Sequence, residues 1–278
     1  YSSAASDVYK RQSWSDSAKP GPAERMKNAE RFSNRVDDYV QHRPGYPAAV
    51  IEHLRDVDYL PHSAVVADIG AGTGIFTALL LDAGHQVIAV EPNDAMATAM
   101  LEQLGEHERF RCVHAPAEAT TLPDSSVDLV TAAQALHWFD PEPTRAEFKR
   151  ITRAPHRLAA IWNRRDVDSS EFLTEYEALL MRYGVGYAET MARRETLEAF
   201  MNPFFGHDDV QIFTTPNAQY HAFDGLVGRL LSSSYGPKPG HPDHEPVMRR
   251  LRELYDAHSG DGQVEMRYQT RVYYGEIR

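Results

Sequence analysis

Residues 65–92, VVADIGAGTGIFTALLLDAGHQVIAVEP, join an apolar run to three closely spaced glycines, a helix-like stretch, and a second apolar run that closes on a carboxylate. Each run has the length of a buried strand, and glycines directly after the first let the chain turn sharply into a helix. Strand, turn, helix and strand in one short unit form a βαβ crossover, which demands a parallel sheet covered on both faces. The pattern continues. Strands are predicted at about 65–69, 86–90, 110–114, 127–133 and 157–162. Helices are predicted at about 75–83, ending near Gly84, at 94–104 behind Asn93 or Asp94 as cap, and at 142–152. Five strands separated by helical segments make an α/β, doubly wound sheet the economical arrangement.

Two flanking regions differ in texture. ERFSNRVDDYVQHRPGYPAAVIEHLRDV predicts two short helices broken at Pro44 and Pro47, the second with a stripe of Val50, Ile51 and Leu54. Beyond the fifth strand, Phe172, Tyr176, Leu179, Leu180 and Tyr183 recur at helical spacing behind Ser169 or Ser170, and 210–214 reads as a strand. A helix, a Pro/Gly-rich loop and a helix carrying Val247, Leu251, Leu254 and Tyr255 follow, before the alternating QVEMRYQTRVYYGEI as a closing strand. Residues 1–30, rich in Ser, Ala, Lys and Pro, are expected to be a disordered or non-native segment, since VYKRQ at 8–12 resembles adaptor-derived sequence. Residues 31–278 are expected to form a single domain: a helical cap at 31–60, a cofactor-binding core at 64–163, and sheet completion with acceptor-side helices at 164–278.

Composition narrows the function classes. Of 278 residues 42% are hydrophobic, enough for a substantial core. Lys plus Arg total 29 against 40 for Asp plus Glu, and a net charge of −11 argues against nucleic acid or an anionic membrane as a general partner. Cys112 is the sole cysteine, which rules out an internal disulfide and a multi-cysteine zinc site and fits a reducing, cytoplasmic setting. No run approaches the roughly 20 apolar residues of a membrane span. The HPDHE at 241–245 is not H-E-x-x-H and lies in a Pro-rich loop, so no metal is expected.

The glycine spacing selects the ligand. Dinucleotide sites favour G-x-G-x-x-G, whose third glycine lets the first helix pack closely while its N-terminus meets a pyrophosphate. Gly70-Ala71-Gly72-Thr73-Gly74 is G-x-G-x-G, and Ile75 stands where the third glycine belongs. Asp68, ahead of the run, suits an ammonium or sulfonium better than a phosphate. Glu91 lies 21 positions beyond Gly70 at the end of the second strand, where a carboxylate can accept from a ribose diol. Gln134 and His137 follow the fourth strand and should emerge at the crevice beside an acceptor, while Trp138 and Phe139 read as wall or core aromatics.

DIGAGTG, the VEP ending and LPDSSVDLVTAAQALHWFD together resemble the class I S-adenosylmethionine (SAM)-dependent methyltransferases, and more narrowly the small-molecule branch that includes trans-aconitate and ubiquinone-pathway enzymes. YVQHRPGYP, LLSSSYGP and YQTRVYYG extend the resemblance from about Arg31 to the C-terminus. It implies a Rossmann-like seven-stranded sheet with the last strand antiparallel, an N-terminal helical cap and a helical insertion near the C-terminus. SAM would be the cofactor, with Asp68, Gly70, Ala71, Gly72 and Gly74 around its methionyl and ribose parts, Glu91 on the ribose hydroxyls, and Pro92 and Asn93 or Asp94 nearby. The family's G-D-A-E stretch is Ala115-Pro116-Ala117-Glu118 here, so adenine would be met by the Ala117 N–H, Glu118, or both. Tyr39, Arg43 and Tyr46 would cover the cofactor, or else pack as a helical cap. Gln134 and His137 would serve a small-molecule acceptor, Gln134 also bordering the cofactor and His137 acting as general base or as orienting group. An NAD(P)-dependent oxidoreductase and a non-catalytic SAM-binding protein are the competing readings.

Overall fold

The computed structural model describes residues 42–189, 191, 197–205 and 210–278, the first four of 197–205 by backbone alone. The first predicted helix, Tyr39 and residues 1–30 lie outside the described residues. What is described of the cap begins at His42 and leads to α1 (Ala49–Asp56), whose buried face is Val50, Ile51 and Leu54. Then come β1 (Val65–Ile69), α2 (Ile75–Asp82), β2 (Gln86–Val90), α3 (Asp94–Leu104), β3 (Phe110–Val113) and β4 (Val127–Ala133). A 3-10 turn over Leu136–Trp138 leads to α4 (Pro141–Ile151) and β5 (Thr152–Arg165). The remainder is α5 (Glu171–Tyr183), α6 (Leu197–Phe205), β6 (Gln211–His221), α7 (Phe223–Leu231), α8 (His244–His258) and β7 (Val264–Glu276).

The seven strands form one sheet in the order β3-β2-β1-β4-β5-β7-β6. β1 to β5 run parallel, and β7 pairs antiparallel with both β5 and β6. Strand alternation divides the core between the faces. Ala67, Ile69, Leu158, Ala160 and Trp162 face α4 and α6, whereas Val66, Ala159 and Ile161 face α1 and α2 through Leu54, Phe76 and Leu80. Each such fully buried aliphatic side chain contributes roughly 1.5–3 kcal/mol over leaving it in water. α5, α7 and α8 build a third core over the projecting half of β7, where Tyr176, Leu230 and Leu251 meet Met266 and Tyr268.

Local signals set the helix starts. Asn93 is the cap of α3, its side-chain oxygen accepting from Met96 N at 2.9 Å, and Ser170 caps α5 through Leu173 N at 3.2 Å; such caps contribute about 1 kcal/mol each. Two strands outrun their predicted bounds. β5 spans 152–165 rather than 157–162, because polar Asn163, Arg164 and Arg165 continue the ladder with β7 at Thr270, Gln269 and Tyr268. β6 reaches 221 rather than 214 despite Pro216, since as an edge strand bonded to β7 alone it tolerates a missing N–H. Among the described residues, no helix is long and apolar enough to cross a membrane.

Candidate active site

The strand order reverses between β1 and β4, and in doubly wound sheets the crevice beyond that point is where ligands sit. The glycine turn leaves β1 there. Gly70, Gly72 and Gly74 have φ of 67°, 60° and 85°, left-handed values that ordinary side chains adopt only with strain. The outer two are also closed in by packing. A Cβ on Gly70 would lie 2.7 Å from the Ala135 Cβ, and one on Gly74 would lie 2.8 Å from Met100 Cγ. Around Gly72 a Cβ would meet nothing within 4 Å, so the middle of the turn faces open space. Gly70 N and Ala71 N both donate to Val90 O, at 2.8 and 3.2 Å, and fasten the turn to the end of β2.

Glu91 completes this cradle. One carboxylate oxygen accepts from Gly72 N at 2.8 Å and the other from Asn93 N at 2.9 Å. Burial pushes its carboxyl up, against the opposing pull of those two N–H donors. Two bonds leave lone pairs on both oxygens for further donors such as a diol. Backbone that admits close approach beside a fixed carboxylate acceptor fits the ribose and methionyl parts of SAM. Ile75 opens α2 at the position where a pyrophosphate site of this spacing has its third glycine.

Asp68 departs from the expected carboxylate open to a cationic ligand. It is fully buried under the turn, with one oxygen accepting from Thr77 Oγ1 at 2.7 Å and the other from Thr131 Oγ1 at 2.9 Å. Desolvation dominates and lifts its pKa to about 6. The side chain ties β1 to α2 and β4, and so braces the loop from beneath.

Beside the turn lies a cavity open to solvent. Ile75, the first residue of α2, and Gln134, just past β4, form its cofactor-side wall. Gln134 has a φ of 57°, a strained value for a residue with a Cβ, and its Nε2 donates to Asn163 O at 3.2 Å. Arg43, Pro44 and Tyr46 of the cap form the roof, and the Tyr46 ring stands edge-on to Phe76 at 5.1 Å. The roof is clamped down. Asn163 Nδ2 and Asn217 Nδ2 both donate to Gly45 O, at 3.0 and 2.9 Å; Gln219 Nε2 donates to His42 O at 3.3 Å; and Arg43 Nη2 donates to Ser232 O at 2.7 Å. Arg165, Arg229 and Tyr268 form the far wall.

The structure therefore gathers Gly70, Ala71, Gly72 and Glu91 into one group, with Pro92 exposed at its edge and the Pro92 carbonyl 2.7 Å from His114 Nε2. Gln134 and Arg43 join at the adjacent cavity. Others stand apart. Ala117 is buried, and Glu118 accepts from Asp140 N at 2.9 Å, at the start of α4. His137 is half-buried in the 3-10 turn, 4.6 Å from the Trp138 ring and 6.4 Å from the Trp162 ring, and is not among the described lining residues. Phe139 packs over Gly70. The reading from sequence overlooked Asn163, Arg165, Arg229 and Tyr268. Arg229 did leave a signal, a lone cation in the apolar helix FDGLVGRLL.

Known proteins agree with this geometry. Residues 67–158 match the Methyltransferase domain family. The chain is 27% identical over 250 residues to a methyltransferase-like protein of Schizosaccharomyces pombe, C25B8.10, covering 88% of this chain and 94% of that protein. It is 38% identical over 136 residues to the uncharacterized methyltransferase Rv3342 of Mycobacterium tuberculosis, a stretch covering 49% of this chain and about half, 53%, of that relative's length. A solved protein from Anaeromyxobacter dehalogenans, provisionally named a type II methyltransferase, superimposes with a TM-score of 0.62 at 26% identity, covering 84% of this chain and 97% of that one. Strand order, glycine turn and relatives converge on a SAM-dependent methyltransferase with the Rossmann-like seven-stranded methyltransferase fold.

Proposed function

We propose that this enzyme transfers the methyl group of SAM to an oxygen, carbon or nitrogen of a small-molecule acceptor held in the cavity between the glycine turn and the cap. The observation that carries this reading is that Ile75 and Gln134, on either side of the switch point, line a cavity immediately beyond the open glycine turn, with polar and cationic side chains on its other walls. Three segments behind the resemblance to the trans-aconitate and ubiquinone-pathway branch bear on the same space. RPGYP supplies the roof, YQTRVYYG supplies Tyr268, and LLSSSYGP supplies the Ser232 carbonyl that anchors Arg43.

Bound SAM supplies an electrophilic methyl on a sulfonium and a neutral leaving group, so the protein's own task is alignment and exclusion of water. Gly72 and Glu91 would hold the nucleoside end, and Arg43 and Tyr46 would close over the methionyl end. The clamp on Gly45 O holds the roof against the strand ends, and positioning of this kind lowers a barrier by roughly 7 kcal/mol or more. Gln134, held at its strained φ, would orient the acceptor. His137 would assist as an orienting group, or as a base for an acceptor that must lose a proton.

The test is to incubate the full chain with methyl-labelled SAM and a cell extract containing both metabolites and macromolecules. Label should appear in the low-molecular-mass fraction. Label confined to protein or nucleic acid contradicts the reading. Once an acceptor is known, His137→Ala should lower kcat by roughly 10²–10⁴ if the imidazole is a base, and should chiefly raise the acceptor KM if it orients.

A further inference from the structure

We infer that the acceptor is an anion, a small molecule bearing a carboxylate or phosphate that Arg229 and Arg165 recognise from the far wall of the cavity. This rests on the methyl-transfer reading above and adds the substrate class. In a chain with a net charge of −11, the described lining residues include three arginines and no carboxylate. Their charges are not equally compensated. Arg165, with a side chain 6% exposed, pairs with Glu177 Oε2 at 2.7 Å and donates to Tyr187 Oη at 2.5 Å. Arg229 is 5% exposed on the apolar α7, and among the described residues no carboxylate lies within 4 Å of its guanidinium. Its one described hydrogen bond is from Nε to Tyr268 Oη, at 3.1 Å.

The groups packed around Arg229 do not supply the missing charge. The neighbouring Tyr176, Tyr235 and Tyr268 bring hydroxyl groups and no carboxylate, and burial holds His221 neutral with a pKa of about 4. A buried cation left without a counter-ion is costly, and a ligand that brings the counter-ion recovers that cost on binding. The guanidinium is also aimed. Tyr268 Oη accepts from Arg229 and donates to Gln219 Oε1 at 3.0 Å, while Gln219 Nε2 reaches His42 O in the cap. Seating of the roof and orientation of Arg229 are thus one hydrogen-bonded chain. With Nε engaged, the terminal nitrogens remain for a planar oxyanion, the geometry guanidinium recognises best.

The experiment uses the full chain saturated with S-adenosylhomocysteine, whose binding is measured first by calorimetry; failure at that step counts against the cofactor site and not against this inference. Benzoate, succinate and phenyl phosphate are then titrated against benzamide and succinamide, with carboxylate and phosphate as separate arms. At least one anion should bind about tenfold or more tighter than the uncharged probes. Arg229→Met should weaken that anion about ten- to a hundredfold with S-adenosylhomocysteine affinity retained, and Arg229→Lys should fall between. Amides that bind as well as the anions, no binding by any anion, or a folded Arg229→Met with unchanged anion affinity would each overturn the inference. The anion-against-amide comparison on the unsubstituted protein decides the matter if both variants fail to fold.

Discussion

Along the ends of β1 and β2 the site is made of backbone, contributed by residues between Gly70 and Asn93, whereas the cavity beside it is walled by side chains drawn from positions as far apart as Arg43 and Tyr268. The first surface is local and carries its one carboxylate at Glu91. The second is assembled by the fold and carries guanidinium groups. A cofactor common to many enzymes needs only close backbone approach and a fixed acceptor, which a short contiguous segment provides. An acceptor peculiar to one enzyme needs chemistry brought from several elements, which only the closed sheet and cap can supply.

The largest effect is expected within the glycine turn. Gly70→Val places a Cβ 2.7 Å from Ala135 and a β-branched residue at φ 67°, so it should cost about 3 kcal/mol or more. Thermal melting should fall by roughly 10 °C for a chain of this size. Gly72→Ala meets open space and bears only the left-handed φ, a cost of about 1 kcal/mol. Equal losses in the two variants would remove the distinction between the packed and the open glycine.

Next is the pH dependence of Asp68. Its pKa of about 6 in the folded chain stands above the ordinary carboxyl value of 3.8, so the stabilisation it gives is fully present below about pH 4 and is lost as pH rises through 6. Asp68→Asn keeps a partner for each threonine hydroxyl and has no charge to bury. The stability of the variant relative to the parent should therefore climb by about 2–3 kcal/mol between pH 4 and pH 7 in denaturant titrations. The buried His85 and His221, both lowered to about 4, change stability in the opposite sense but cancel in the difference. A difference that stays flat with pH would show the carboxyl to be less desolvated than its position under the turn requires.

A smaller effect separates the two halves directly. Asn163→Ala removes one of the two donors to Gly45 O and the acceptor for Thr270 Oγ1, about 1–2 kcal/mol of stability. Turnover should fall severalfold more than SAM affinity, because the clamp holds the roof over the acceptor cavity and the methionyl end of SAM, while the Gly72 and Glu91 contacts proposed for its nucleoside end are untouched. A matching fall in both would mean that cap and cofactor crevice act as one unit.

The same division explains what was legible in the sequence. β1, β2, β4 and α3 begin and end where their apolar runs, glycines and caps predict, because those determinants are local. β6 was half visible. Pro216 reads as a stop, and nothing in a single sequence says that the strand will lie at an edge where the missing N–H is harmless. The antiparallel seventh strand followed from family resemblance, since alternation in QVEMRYQTRVYYGEI fixes a strand and not its direction. Asp68 was visible as a carboxylate at a strand end, but its two threonine partners come from 9 and 63 residues away, and they turn an expected ligand contact into a brace. Arg229 stood out in an apolar helix, yet its place in the site depends on Tyr268, Gln219 and the cap, which meet only in the folded sheet.

Glu91 and Gly72 form the proposed SAM cradle, and calorimetric titration of SAM into the parent and Glu91→Ala proteins tests that role most directly. The variant loses the acceptor that holds Gly72 N and the lone pairs offered to the ribose diol, charge-assisted bonds of roughly 1.5–3 kcal/mol each. The prediction is one SAM per chain on the parent, no comparable binding of NAD, and at least about tenfold weaker SAM binding by a Glu91→Ala protein that melts cooperatively. SAM affinity unchanged in that folded variant, or NAD bound more tightly than SAM by the parent, would contradict it.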